Sequence, residues 1–205
     1  VPRNIPREPP PAGERRVTIE ADNWPLPAVV VAHHNTYDGH PDAYPMHILS
    51  KILSDGQSAR IYRRLVYDQQ VAGSAFGAGP IIEDPNLFYA VAVVQPGQST
   101  EAAAEALIAE LDRAKAEPPT DQEIQRAKNQ FARDYVIGRI SNSDKASHLA
   151  HAHVIHDDIT TADGELDIFL NVSKADVQRV AQTYLRDDNR LVMTILPRGA
   201  GAGRR

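Results

Sequence analysis

The stretch VSKADVQRVAQTYLRDDNRLVMTILP, residues 172–197, decides the fold. Ser173–Asp176 has the spacing of a capping box, which marks the first turn of a helix. The side chains that this helix would bury follow at helical spacing, namely Val177, Val180 and Tyr184. The apolar run Arg190–Leu196 then predicts a closing β-strand.

The same patterns assign elements to the rest of the chain. Strands are predicted at Arg16–Ala21, Ala28–His34, Val71–Gly79 and Leu87–Gln95. Helices are predicted at Pro41–Ser54, Ser58–Gln70 and Thr100–Ala116, after a capping box at Thr120–Glu123, at Asp144–His156 and at Ala162–Leu170. Two residue sets are expected to face inward: Val17, Ile19 and Ala21 of the first strand, and Ile124, Ala127, Phe131, Tyr135 and Ile140 of the capped helix.

The order of these elements indicates the fold class. Two hairpin-like pairs of strands are followed by helices and then by one returning strand, which is typical of an α+β domain. We therefore expect a mostly antiparallel sheet with helices packed on one face.

Composition excludes several classes of protein. The contents of 42% hydrophobic and 24% charged residues are those of a globular domain, and 205 residues suffice for one core. The net charge of −5 argues against nucleic acid, which favours a basic face. The apolar runs Pro27–Ala32 and Leu87–Val94 are shorter than the roughly 20 residues that span a bilayer. Cysteine is absent, which excludes disulfides and fits the cytoplasm and the periplasm equally, so the compartment stays open.

The two ends differ from the middle of the chain. Residues 1–13 contain five prolines and are expected to form an extended linker between domains. Residues 198–205 are rich in Gly, Ala and Arg and are expected to be a disordered tail. The folded unit is then 14–197. Because the chain begins at Val1 and not at Met, we expect it to be part of a longer protein.

A first group of candidate metal ligands lies at the end of the second strand. His33, His34 and His40 are close in sequence to Asp38 and Asp42. The loop also contains glycine and proline, and a zinc site needs rigidly held ligands. The favoured interpretation is solvated loop histidines.

A second group lies on one predicted helix. Its members are His148, His151, His153 and His156. At 100° per residue the first two share one face and the last two share another, so all four cannot converge on one ion. A pair could hold a metal with help from Asp157 or Asp158. The zinc-peptidase motif H-x-x-E-H is missing, so we expect neither a catalytic residue nor a physiological metal ligand in this chain.

Three segments carry a resemblance to one family. They are ILSDGQSARIYRRLVYDQQVAGSAFG (52–77), PPTDQEIQRAKNQF (118–131) and the stretch at 172–197. In this order and at these distances they resemble the family of pitrilysin, insulysin and the mitochondrial processing peptidase, the inverted zincins. The similarity covers almost the whole predicted folded unit, from Val17 to Pro197.

The resemblance implies that this chain is the inactive domain of a domain pair. In that family one domain carries H-x-x-E-H and binds zinc, and a homologous C-terminal domain closes the substrate chamber. No cofactor is then expected in this segment, and zinc is expected in the parent protein. The implied partners are the N-terminal zinc-bearing domain of the same protein, a homologous partner subunit and an unfolded peptide.

One departure from the family pattern concerns substrate binding. Many inactive-type domains have an Arg and, seven residues later, a Tyr that help to bind the peptide. These positions fall on Val66 and Gly73, and neither residue type is kept. A side chain without a donor cannot stabilise an oxyanion, so the resemblance implies that a partner subunit supplies the Arg and Tyr.

The sequence therefore favours a non-catalytic C-terminal domain of a bacterial zinc metalloendopeptidase subunit. Two alternatives stay open. One is a scaffold subunit of a complex without peptidase activity, and the other is a free-standing binding module. An H-x-x-E-H motif upstream of Val1 would distinguish the first interpretation from both alternatives.

Overall fold

A computed structural model describes residues 9, 11–22 and 24–198. The strands are β1 Arg15–Ala21, β2 Ala28–His34, β3 Ala72–Ala78, β4 Leu87–Val94 and β5 Arg190–Pro197. The helices are α1 Ala43–Ser54, α2 Arg60–Tyr62, α3 Thr100–Ala116, α4 Asp121–Ile137, α5 Asn142–His156, α6 Thr161–Asn171 and α7 Lys174–Tyr184. A π-helical turn, Arg63–Asp68, extends α2, and a 3₁₀ turn, Asp187–Asn189, precedes β5.

The strands form one sheet in the order β1-β5-β2-β4-β3. Three of the four neighbouring pairs are antiparallel, and β1 lies parallel to β5. The predicted α+β class with a mostly antiparallel sheet is confirmed. The predicted first hairpin pair is wrong, because β5 lies between β1 and β2. A parallel neighbour requires a crossover connection, and the chain makes it through all its helices.

The helices cover one face of the sheet and enclose the core. Alternate residues of the two central strands, Val29 and Val31 of β2 and Ala90 and Ala92 of β4, are fully buried. They pack with fully buried residues of the helices, namely Met46, Ile48, Leu53, Leu107 and Val180. Each large apolar side chain buried in this way contributes about 1.5–3 kcal/mol.

Two groups of residues predicted to face inward are exposed. Val17 and Ile19 are each 40% exposed, because β1 is an edge strand and these side chains project from the face that no described helix covers. Ile140 is 70% exposed, because α4 ends at Ile137 and the chain turns before Ile140. The other predicted inward residues of α4 are buried or half-buried.

Local capping explains where several helices begin. The predicted capping boxes are present: Thr120 accepts a hydrogen bond from the Glu123 amide, and Ser173 accepts one from the Asp176 amide. A third box, Ser141 with Asp144, begins α5. The predicted helix over Ser58–Gln70 is shorter and changes from α to π geometry at Arg63.

The predicted linker (1–13) and the predicted tail (198–205) lie mostly outside the described part of the chain. Of the predicted linker, only residue 9 and residues 11–13 are described, and of the tail only Arg198. Arg198 donates its backbone amide to Ala21 O at 2.9 Å, which continues the contact between β1 and β5. Within the described ranges, no helix is long and apolar enough to cross a bilayer.

Gly77 is where β3 comes closest to β4, which gives a stability prediction. A Cβ at Gly77 would overlap the carbonyl oxygen of Tyr89 and lie 3.0 Å from Ala90 Cα, both of them backbone atoms. We expect Gly77→Ala to lower the free energy of unfolding by about 2 kcal/mol or more, measured by urea denaturation. The control is Gly164→Ala in α6, where a Cβ meets nothing within 4 Å. This change should stabilise by about 0.5–1 kcal/mol. Equal effects of the two changes would contradict the close approach of β3 to β4.

Candidate functional site

The face of the sheet opposite the helices has an apolar row that crosses all five strands. The strand registers place Val17, Met193, Val30, Val91 and Phe76 side by side, in that order. Within the row, Val91 is 7% exposed, whereas the end residues, Val17 and Phe76, are 40% and 45% exposed. Strands that are apolar on both faces are typical of sheets covered on both faces. This face is therefore the main candidate for binding a partner or ligand.

The strand β3 ends the sheet on one side, next to the apolar row. Among the described residues no strand pairs with its outer edge. The ladder to β4 is irregular between Ala72 and Ser74, so Gly73 is the extra residue of a β-bulge. Gly73 is exposed, and a side chain added there would first meet the flexible amide of Gln95. The edge thus leaves room for an extended chain beside it.

The π-helical turn lies directly before this edge strand. The Val71 amide donates to Leu65 O at 3.0 Å, and the Gln69 amide donates to Arg64 O at 3.0 Å. Val66 lies in this turn, half-buried against the core. The two positions at which the family pattern has Arg and Tyr are therefore a core-packed residue and a bulge residue.

His33 is buried, which corrects the prediction that the histidines near the end of β2 are solvated. It is 1% exposed and pairs in register with Phe88 and Arg190. Neither ring nitrogen has a hydrogen-bond partner among the described residues. Burial lowers the pKa of His33 to about 4, and the positive charges of Arg190 and Lys115 act in the same direction. His33 is a neutral core residue.

Asp42, which the sequence offered as a metal ligand, is bound to α7. The Arg179 guanidinium lies 2.7 Å from its carboxylate, and the Tyr184 hydroxyl donates to it at 2.9 Å. Burial acts to raise the pKa of the Asp42 carboxyl, but these hydrogen bonds outweigh it and hold the pKa below its usual range. Burial and the bond to Asp42 raise the pKa of Tyr184 to about 12. Asp42 fastens the loop after β2 to α7.

The four histidines of α5 have three different environments. His148 lies against Arg139, and its Nε2 is 3.0 Å from Ala162 O. His153 is exposed. His151 and His156 both reach Asp38, a residue of the first candidate group. The sequence analysis placed His151 and His156 on different faces of the helix. In the structure both contact Asp38, because His156 is the last residue of α5, so the predicted division is wrong for these two residues.

Comparison with known proteins identifies the family. The model of the peptidase M16 inactive domain matches residues 1–131, more than half of the 205 residues. The chain belongs to the peptidase M16 family, as an inactive domain. The predicted resemblance to the inverted zincins is confirmed.

Three similar proteins come from bacteria. Zinc protease PqqE of Helicobacter pylori is 25% identical over 197 residues, which are 96% of this chain and 44% of that protein. A protease structure from Helicobacter pylori has a TM-score of 0.85 at 25% identity, over 96% of this chain and 47% of that one. An inactive peptidase domain from Bordetella parapertussis has a TM-score of 0.76 at 25% identity, over 86% of this chain and 96% of that one. This chain thus spans about half the length of the Helicobacter pylori relatives.

Sequence reasoning missed the apolar row and the meeting of Asp38 with His151. A signal for the row existed, because Met193 and Ile195 alternate with Val192 in β5 and make both faces of that strand apolar. No local signal existed for the second contact, since its residues are 113 positions apart.

The buried His33 predicts a pH dependence of stability. The unfolded chain takes up a proton near pH 6.5, whereas the folded chain resists protonation of His33 until about pH 4. Stability is therefore complete above pH 6.5 and is lost as the pH falls toward 4. We expect His33→Leu to remove about 3 kcal/mol of this loss, measured by urea denaturation at several pH values.

The matched control is His153→Leu, at an exposed position of α5. It should leave the shape of the pH profile unchanged. Parallel profiles for the wild type and His33→Leu would show that His33 does not stay neutral in the folded chain.

Proposed function

We propose that this chain is the non-catalytic C-terminal domain of a bacterial zinc metalloendopeptidase subunit, and that it closes the peptide-binding chamber. The observation that carries the proposal is the apolar row beside the open edge of β3. An enclosed peptide needs both an apolar wall and backbone partners, and these two features supply them. The relative named zinc protease supports the same proposal.

The zinc site of the parent protein would lie in an N-terminal domain. The 205 residues contain no H-x-x-E-H, so the ligands and the general base of that motif cannot come from this segment. The chain corresponds to 44% of the length of its curated relative, which leaves room there for a second domain of similar size. The described N-terminal residues, which bring Glu14 to within 2.5 Å of Arg190, would then follow the connection between the domains.

The peptide would add to the sheet as a strand. Main-chain hydrogen bonds to a free edge give affinity without demanding one sequence, which suits an enzyme that takes unfolded chains. Phe76 is exposed on β3 and would contact alternate side chains of the bound peptide. Val66 and Gly73 cannot donate hydrogen bonds from their side chains. A homologous partner subunit would supply the Arg and Tyr that the family pattern has there.

The native protein provides the first test. We expect the intact mass and N-terminal sequence from source cells to reveal a protein of about twice this length, with H-x-x-E-H upstream of Val1. The same length without the motif would replace the peptidase proposal by a scaffold or partner subunit. A native chain that starts near Val1 would overturn both and leave a binding module.

Filling the space beside β3 tests the peptide site itself. We expect Gly73→Trp in the full complex of the zinc-bearing protein with its partner subunit to lower kcat/KM for peptide cleavage at least about tenfold, because the indole would occupy the path of the added strand. Folding should tolerate the change, since the nearest contact is the mobile end of Gln95.

The matched control is Gly164→Trp in α6, a helix that contacts α4, α5 and α1 and lies away from the apolar row. It should leave kcat/KM unchanged. Unchanged cleavage by Gly73→Trp, with both variants folded, would rule out a peptide along this edge.

A further inference from the structure

The loop after β2 and the end of α5 bring three metal-binding side chains together. His151 Nε2 lies 2.6 Å from Asp38 Oδ2, and His156 Nε2 lies 3.3 Å from Asp38 Oδ1. One ligand atom from each of the three residues lies within 4.8 Å of the other two. Two histidines that direct Nε2 at one carboxylate from different positions form a convergent donor set.

We propose that Asp38, His151 and His156 bind a divalent transition-metal ion of the zinc class. The two imidazoles are borderline ligands that suit Zn²⁺, Co²⁺ or Ni²⁺, and these ions also accept a carboxylate oxygen, whereas Mg²⁺ and Ca²⁺ prefer oxygen alone. The sequence favoured no metal at either histidine group, because the loop after β2 contains glycine and proline and the H-x-x-E-H motif is missing. The site shares no residue with the apolar row or with β3.

The distances suit a small ion after a minor adjustment. Zinc binds nitrogen and oxygen at about 2.0–2.2 Å, so its tetrahedral ligands lie about 3.2–3.5 Å apart. The His156 contact of 3.3 Å already has this separation. The His151 contact of 2.6 Å must widen by less than about 1 Å, and the His151 side chain is 46% exposed and free to withdraw.

The carboxylate is held rigidly in place. The side chain of Asp38 is only 6% exposed, and the Asp38 amide donates to Ile82 O at 2.7 Å. The next residue, Gly39, has a φ of 85°, which turns the chain, and a Cβ added there would lie 3.6 Å from Nδ1 of the His156 ring. A buried carboxylate of fixed position facing two imidazoles is preorganised for an ion.

The ion would have a structural consequence for α5. This helix of 15 residues buries only Ala152, so hydrophobic burial holds it weakly. A metal bound to Asp38, His151 and His156 would fasten α5 to the loop that follows β2. Three protein ligands also leave a coordination position, and the exposed side of His151 gives solvent access to it.

The test is titration of the tag-free, chelator-treated 205-residue chain with Zn²⁺ by calorimetry and with Co²⁺ by visible absorption. The chain has no cysteine, so thiolate cannot bind the ions. We expect one ion per chain with a micromolar or lower Kd, low-coordinate Co²⁺ bands and a raised Tm. His151→Gln and His156→Gln should weaken binding at least about tenfold, since each removes one ligand.

The matched control is His153→Gln, an exposed histidine of the same helix that is not one of the three ligands. It should bind the ion as the wild type does. Equal weakening by His151→Gln and His153→Gln would identify adventitious surface binding and overturn the proposal. No binding to a folded wild-type chain would also overturn it and leave a hydrogen-bonded His–Asp–His contact.

Discussion

The insertion of β5 between β1 and β2 is the constraint on which the rest of the structure depends. β5 pairs in parallel with β1 over residues 191–197 and antiparallel with β2 over residues 190–195, so it joins two strands that do not pair with each other. It can take this place only after the chain has crossed the sheet through its helices. Such non-local pairing carries an entropic cost of loop closure, and burial of the helix-covered core offsets that cost.

Local sequence signals were sufficient to predict the helices and strands but not to predict which strands lie next to each other in the sheet. The capping boxes at Thr120 and Ser173 and the apolar periodicity fixed where α4 and α7 begin and which side they bury. Strand pairing has no local signal of this kind, because β1 and β5 are separated by almost the whole chain. Val17 and Ile19 alternate as half-buried residues would, yet the pattern cannot say what covers them, and in this domain nothing described does.

The same distinction between local and non-local signals applies to the candidate sites. The family pattern singled out Val66 and Gly73, since both lie within one continuous segment, but the bulge at Gly73 and the half-burial of Val66 emerge only in the structure. The meeting of Asp38 with His151 and His156 depends on how α5 lies against the loop after β2. Helical geometry alone placed His151 with His148, and only tertiary packing brings His156 to the same carboxylate. Neighbouring groups also distinguish the two carboxylates of this loop. Asp42 is bound by the Arg179 guanidinium and the Tyr184 hydroxyl, whereas Asp38 faces the two histidines.

The two faces of the sheet have unequal roles, and this connects the fold to its proposed use. The helix-covered face supplies the core, so the domain does not need the apolar row in order to fold. The side chains of the apolar row can therefore be buried by contact with another molecule. Its end residues, Val17 and Phe76, retain much of their exposed area, and covering them would yield about 25 cal/mol per Å². The proposed chamber would use such a surface, because a wall that binds peptides through apolar contact and a free edge accepts many sequences, and the catalytic chemistry would lie in another domain.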